Sequence, residues 1–296
     1  MCLFKIFKMK SISIFLVSLL IITSCKKEES TDEPNTIKAL TINNVAYGAA
    51  ALQKMDVYLP ANRSIAQTKV IIMVHGGGWT TGDKADYKRF ADTLLKRFPD
   101  QAIFNINYRL SAFPNNLFPT QEMDVKAAVE FIYSKKNEYL ISDNFALIGE
   151  SAGAHLSMLY AYKYNSPLKI KAVASFFGPA DLTDMYNNPV NGNNTISLGM
   201  AQAVGSTPAS NPTLYIQSSP VTFITSSSAV PTILLHGSND ALVSPSQSLL
   251  VKNKLIAAGV QTQYVLYPGK DHGFDWDDLT FYDAFNKIQA FFMANL

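Results

Sequence analysis

The 296-residue sequence has only two cysteines, Cys2 and Cys25. No thiol remains beyond residue 25, which excludes a disulfide framework, a cysteine-built zinc site and a cysteine nucleophile from the rest of the chain. That remainder must be held by its apolar core, and roughly 270 residues can bury one large enough. An excess of one charge is also missing. Lys5, Lys8 and Lys10 belong to the 25 basic residues, and without these three the balance is 22 against 23 acidic ones. Nothing in such a near-neutral balance points to nucleic acid or an anionic membrane surface as partner. Histidine is scarce, with four in the whole chain, so few side chains can serve as a base near neutral pH.

What is present begins with a leader. The three lysines precede an almost unbroken apolar run over 12–22, too short for a membrane span and placed as the central region of a signal peptide. Ile22-Thr23-Ser24-Cys25 resembles the lipobox of bacterial lipoproteins, in which the cysteine is acylated and becomes the mature N-terminus. The expected organisation is a signal peptide over 1–24, a lipid-anchored tether over 25–39 and a catalytic domain over 40–296. The charged run Lys26 to Pro34 has no apolar periodicity and reads as a flexible linker. The chain is therefore expected outside the cytoplasm, anchored through Cys25 to the bacterial outer membrane on its periplasmic or cell-surface face, with no other membrane contact.

From about residue 40, strand-like and helix-like segments alternate. Met55–Leu59, Val70–Val74, Ala102–Tyr108, Phe145–Ile148, Ala172–Phe176, Ile233–Leu235 and Tyr264–Tyr267 read as strands. Helical segments are expected over Lys84–Phe98, after Pro119, from Ala152, over Ser246–Ala258 and from Phe281. This alternation implies an α/β fold, a mostly parallel sheet with helices on both faces. Residues 181–229 are rich in Asn, Ser, Pro and Gly, and are expected to form an irregular insertion that shapes a substrate pocket.

Several motifs fall at strand ends. Gly149-Glu150-Ser151-Ala152-Gly153 follows an apolar strand and opens a helix, the strand–turn–helix context in which G-x-S-x-G presents a nucleophilic serine. His75-Gly76-Gly77-Gly78-Trp79 follows Val70–Val74. Successive glycines there can turn backbone N–H groups inward, so Gly77, Gly78 and Ala152 are candidate donors for an oxyanion hole. Serine needs a base. Among His75, His155, His236 and His272, only His272 sits in a loop after the last strand, at the sheet edge expected to carry Ser151. His75 is expected to orient its loop, His155 to point along its helix and His236 to pack at a strand end. Asp240, just past a strand end, is the candidate orienting acid; Asp271 and Asp275 stand too close in sequence to His272 to reach its ring.

Together His75–Trp79, Asn107-Tyr108-Arg109-Leu110, Gly149–Gly153, His236-Gly-Ser-Asn-Asp240 and Asp271-His272-Gly273-Phe274 resemble the α/β-hydrolase superfamily, in particular its branch like hormone-sensitive lipase and the feruloyl and acetyl-xylan esterases. The resemblance implies the Ser151–Asp240–His272 triad, a small-molecule or polysaccharide ester as substrate, and neither metal nor organic cofactor. It makes Asn107–Leu110 and Asp124 structural positions. Ala154-His155 stands where lipase-like relatives carry another glycine, which leans toward the polysaccharide-esterase and formamidase relatives. Two alternatives stay open. One is an amide hydrolase or peptidase of arylformamidase type using the same triad; the other is a non-catalytic carbohydrate-binding lipoprotein.

Overall fold

A computed structural model describes Met1 and residues 36–296. The expected lipid anchor Cys25, the apolar leader and the tether up to residue 35 lie outside the described residues. The chain from residue 36 builds one eight-stranded sheet: β1 (Leu40–Ala46), β2 (Lys54–Leu59), β3 (Val70–Val74), β4 (Ala102–Ile106), β5 (Phe145–Glu150), β6 (Ala172–Phe176), β7 (Thr232–Gly237) and β8 (Thr262–Tyr267). Their order is β1-β2-β4-β3-β5-β6-β7-β8. The β1/β2 and β2/β4 pairs are antiparallel, and every pairing from β4 to β8 is parallel.

Alternation along the strands divides the core into two layers. Val70, Ile72, Val74, Phe145 and Leu147 face one side, against Val125, Val129 and Ile132 of α2 (Thr120–Ser134) and Leu156 and Leu159 of α4 (Ala152–Lys163). A short helix, α3 (Lys136–Tyr139), lies between these two in the chain. Ile71, Met73, Ala146 and Ile148 face the other side, against Leu94 of α1 (Lys88–Arg97) and the carboxy-terminal helix Asp278–Asn295, which supplies Phe281, Phe285, Ile288 and Phe292. Covering both faces explains why β3 and β5 read as unbroken apolar runs. The expected helix over Lys84–Phe98 is split: a 3₁₀ turn, Lys84–Tyr87, is capped by Asp83, which exchanges hydrogen bonds with Ala85 and Asp86, and α1 follows.

The insertion differs from its expectation. Residues 181–229 are helical rather than irregular: α5 (Leu182–Asn187), α6 (Asn194–Val204), α7 (Pro212–Gln217) and the 3₁₀ turn Pro220–Phe223. Their starts are set by side-chain caps from Asp181, Asn193 and Asn211, each accepting from an amide of the first turn. The element order closes with α8 (Pro245–Ala257) and the last helix, α9 (Asp278–Asn295).

The parallel strands β3, β5, β7 and β8 run in one direction, so their carboxy-terminal ends share an edge. The chain order reverses there, β3 having β4 on one side and β5 on the other. Crevices at such switch points are where open α/β sheets hold ligands.

Candidate active site

Ser151 follows the last residue of β5 and precedes the first of α4, at φ 50° and ψ −122°. Only a tight turn imposes that left-handed backbone on a residue with a Cβ. Two flanking glycines permit it. A Cβ on Gly149 would lie 2.4 Å from the backbone of Gly153, and one on Gly153 would lie 2.1 Å from the carbonyl oxygen of Val74. The Ser151 amide donates to the Phe176 carbonyl at 2.9 Å, pinning the turn to β6. The side chain is thereby held at the start of α4, where free amides and the positive end of the helix dipole favour a developing anion.

His272 lies beyond β8 and Asp240 beyond β7. His272 Nδ1 donates to Asp240 Oδ2 at 2.6 Å, which leaves Nε2 with its lone pair available. The other carboxylate oxygen of Asp240 accepts from the amides of Leu242 at 2.9 Å and Val243 at 2.8 Å. Burial would raise the Asp240 pKa, but hydrogen bonds from His236 and His272, the charge His272 can carry and the Val243 amide hold the carboxyl well below the usual carboxylate range. It is an anion under all ordinary conditions. Asp271 turns elsewhere, accepting from the amides of Ala241 and of His272 itself, and Asp275 accepts from the Asp271 amide. Ser151 and His272 line the same two cavities; among the described residues no hydrogen bond joins the serine hydroxyl to the imidazole.

The glycine loop borders the same space. Gly77 has φ +104°, and a Cβ there would lie 2.1 Å from the Thr81 carbonyl oxygen; Gly78, at φ +57°, faces open space. The Gly77 carbonyl is used in closing the turn, accepting from Thr80 and Thr81. Among the described residues the amides of Gly77 and Gly78 donate to no protein group. His75 holds this loop as expected: its Nδ1 donates to the Gly76 carbonyl at 2.8 Å and its ring stacks on Tyr108 at 4.3 Å between centroids. Burial lowers the His75 pKa and keeps it neutral. The Tyr108 hydroxyl donates back to the carbonyl of His75 at 3.0 Å. Arg109 forms a bidentate pair with the buried Asp124, at 2.9 and 2.6 Å. The Asn-Tyr-Arg-Leu segment is thus a buttress for the glycine loop.

His155 is fully buried and lines neither of the cavities that Ser151 borders. Its Nδ1 accepts from Trp79 Nε1 at 3.2 Å and its Nε2 donates to the Ser218 carbonyl at 2.7 Å, tying the glycine loop to the cap. Burial pushes its pKa down to about 4, so it stays neutral there.

Some site residues escaped sequence reasoning. His236 does pack at the end of β7, but its Nε2 also lies 3.1 Å from Asp240 Oδ2, the oxygen that receives His272. That nitrogen donates to the Val243 carbonyl at 2.9 Å as well, and Nδ1 accepts from the Ser248 hydroxyl at 2.8 Å. The sequence offers only the four-residue spacing from His236 on β7 to Asp240 beyond it, and the loop between them decides whether the two meet. Phe177, at φ 41°, sets its ring 4.4 Å from that of His272. Glu150, inside the motif itself, lines the larger cavity beside Ser151, and burial pushes its carboxyl up to about 7.

A mostly parallel sheet carrying a serine elbow, a histidine–aspartate pair and a glycine loop on one edge defines an α/β-hydrolase. Residues 55–255 match the BD-FAE family, and the chain belongs to it. Among curated proteins it is 30% identical, over 77% of this chain and 54% of the relative, to a probable carboxylic ester hydrolase of Mycobacterium tuberculosis. It is 28% identical to an esterase of the same organism, over 82% of this chain and 59% of the relative. The chain thus spans little more than half the length of these relatives. Among solved structures it superimposes with a TM-score of 0.72 on a truncated carbohydrate esterase from gut microbiota, at 26% identity, covering 87% of this chain and 96% of that one.

Proposed function

We propose that this protein is a serine carboxylesterase that removes acetyl or hydroxycinnamoyl groups from plant polysaccharide fragments. The observation that carries the reading is the 2.6 Å His272–Asp240 hydrogen bond on the same cavity wall as a serine held at φ 50°. The Ser151 hydroxyl attacks the ester carbonyl as His272 Nε2 takes its proton. The tetrahedral oxyanion is received by the amides of Gly77, Gly78 and Ala152, donors of a kind worth about 3 kcal/mol each. Collapse expels the alcohol, which takes the proton from His272 and leaves an acyl-Ser151. Water, deprotonated by the same imidazole, repeats the cycle and releases the acid. Asp240 keeps the Nδ1–H tautomer and stabilises the cation formed at each attack.

The substrate class is supported by the likeness to a carbohydrate esterase and by a cavity suited to a sugar. The Cys25 anchor, read from the leader, would place the enzyme where exported hydrolases meet polymers. A Cys25→Ala variant that stays in the membrane fraction of the producing cell would contradict the anchor.

The test is free acid released by the full-length protein in detergent, with Ser151→Ala as blank, from acetylated xylan, methyl ferulate, p-nitrophenyl acetate, an aryl formamide and a proline-containing peptide. Serine-dependent acetate or ferulate release from the polysaccharide-type esters is the expected result. Cleavage of the amides alone would replace the esterase reading with amide hydrolysis, and no serine-dependent release would leave a binding protein.

A further inference from the structure

Ser151 and His272 stand at the junction of two unequal cavities. The larger has a volume of about 690 Å³ and is walled by Asp86, Tyr87, Glu150 and Phe274. The smaller, about 270 Å³, lies under the cap and is walled by Trp79, Met185, Ile196, Met200 and Val243. Both halves of an ester must be near His272, one to leave and one to stay, so proximity to the base does not assign them. Polarity does.

The larger cavity carries polar groups. The Tyr87 hydroxyl is buried without a hydrogen bond of good geometry, and it faces the Glu150 carboxyl, which burial holds partly protonated near neutrality against the pull of that hydroxyl. Such groups gain most from a ligand that brings its own hydroxyls. No lysine or arginine lines this cavity, while two carboxyl groups do, which favours a neutral ligand over an anionic one. At its mouth Phe274 is 80% exposed, an apolar ring offered to solvent and suited to the C–H face of a sugar. The smaller cavity has Thr80, Thr195 and Gln202 but no carboxyl group on its wall, and the surface of Met185, Ile196 and Met200 suits an apolar chain.

We infer that the larger cavity receives the leaving alcohol as a neutral sugar unit, held by Glu150 and Tyr87 and stacked on Phe274, while the smaller one receives the acyl chain. This rests on the esterase reading and deepens it by giving the site a direction. Glu150 becomes a specificity-determining residue for the alcohol, and Met185, Ile196 and Met200 set the acyl length.

The experiment compares kcat/KM for an acetylated xylo-oligosaccharide, p-nitrophenyl acetate and p-nitrophenyl butyrate in the full-length protein. Glu150→Gln and Phe274→Ala should each lower the ratio of sugar acetate to p-nitrophenyl acetate by roughly tenfold or more. Met200→Trp, which fills the smaller cavity, should lower the butyrate-to-acetate ratio by a similar factor of about ten. The reverse pattern, with Glu150→Gln moving acyl-length preference and Met200→Trp moving sugar preference, overturns the assignment, as does equal loss on all three esters. If the unmodified protein releases no acid from any ester, the esterase reading falls by itself. Titration of xylotriose into Ser151→Ala then decides the cavity: binding that weakens with Glu150→Gln added supports it, and no binding overturns it.

Discussion

The sheet edge and the helical cap meet at Ser151, yet they are built by different rules. At the edge, position follows from covalent sequence: each strand end leads to its site residue within five residues, and hydrogen bonds to the backbone lock it. Ser151 is pinned to Phe176, Asp240 to Leu242 and Val243, and Ser238 at the end of β7 to Tyr267 at the end of β8. In the cap, short helices with side-chain caps lie over that edge, and what they contribute to the site is the apolar surface of Met185, Ile196 and Met200 with Thr195 and Gln202 beside it. The difference implies that the edge governs whether chemistry occurs and the cap governs what enters.

The largest effects should come from the edge. Ser151→Ala should lower kcat by roughly 10⁴- to 10⁶-fold, read by acid release from p-nitrophenyl acetate, with thermal unfolding unchanged. Asp240→Asn, which offers His272 the wrong tautomer, should cost about 10³- to 10⁴-fold in kcat. Comparable activity in either variant would break the comparison at its strongest point. His236→Asn tests how far the edge extends. It removes the second donor on Asp240 Oδ2, so kcat should fall by roughly 10- to 100-fold with KM little changed. A loss carried wholly by KM would make His236 a packing residue.

Smaller and different effects are expected from the cap. Met200→Ala should change the butyrate-to-acetate preference by about 10-fold while kcat for p-nitrophenyl acetate moves by less. Stability sharpens the contrast from the side of Glu150. Its carboxyl holds a proton to about 7 in the fold against an ordinary value of 4.5. The folded chain therefore binds more protons between those values, and stability falls as pH rises through that window, by at most ~3 kcal/mol. Denaturant unfolding at about pH 5 and about pH 8 should show that loss in the native chain and a smaller one in Glu150→Gln.

The same division governs what the sequence makes legible. Val70–Val74 and Phe145–Ile148 are fully buried on two faces, and a chain buried so must be apolar throughout, which any reader of the sequence can see. The motifs at their ends inherit that clarity, and Ser151, Asp240 and His272 arrive together because β5, β7 and β8 run parallel in one sheet and end on the same edge. The cap gives no such signal. The helices α5 and α7 have six residues each, too few for a 3.6-residue period to declare itself, and α6 carries Gly199 and is held by its ends. β1 was missed for a related reason: it is an edge strand, mostly exposed, with a register shift between Ile42 and Val45, so its residues do not alternate. The pairing of His236 with Asp240 is hidden because it depends on the course of the loop that leads from β7 to Asp240.

The central claim is that Ser151 is an activated nucleophile, and covalent labelling tests it most directly. A fluorophosphonate probe applied to the full-length protein should give a single adduct by intact mass, mapped to Ser151, absent from Ser151→Ala and slowed in Asp240→Asn. No adduct, or one that persists in Ser151→Ala, would contradict the account.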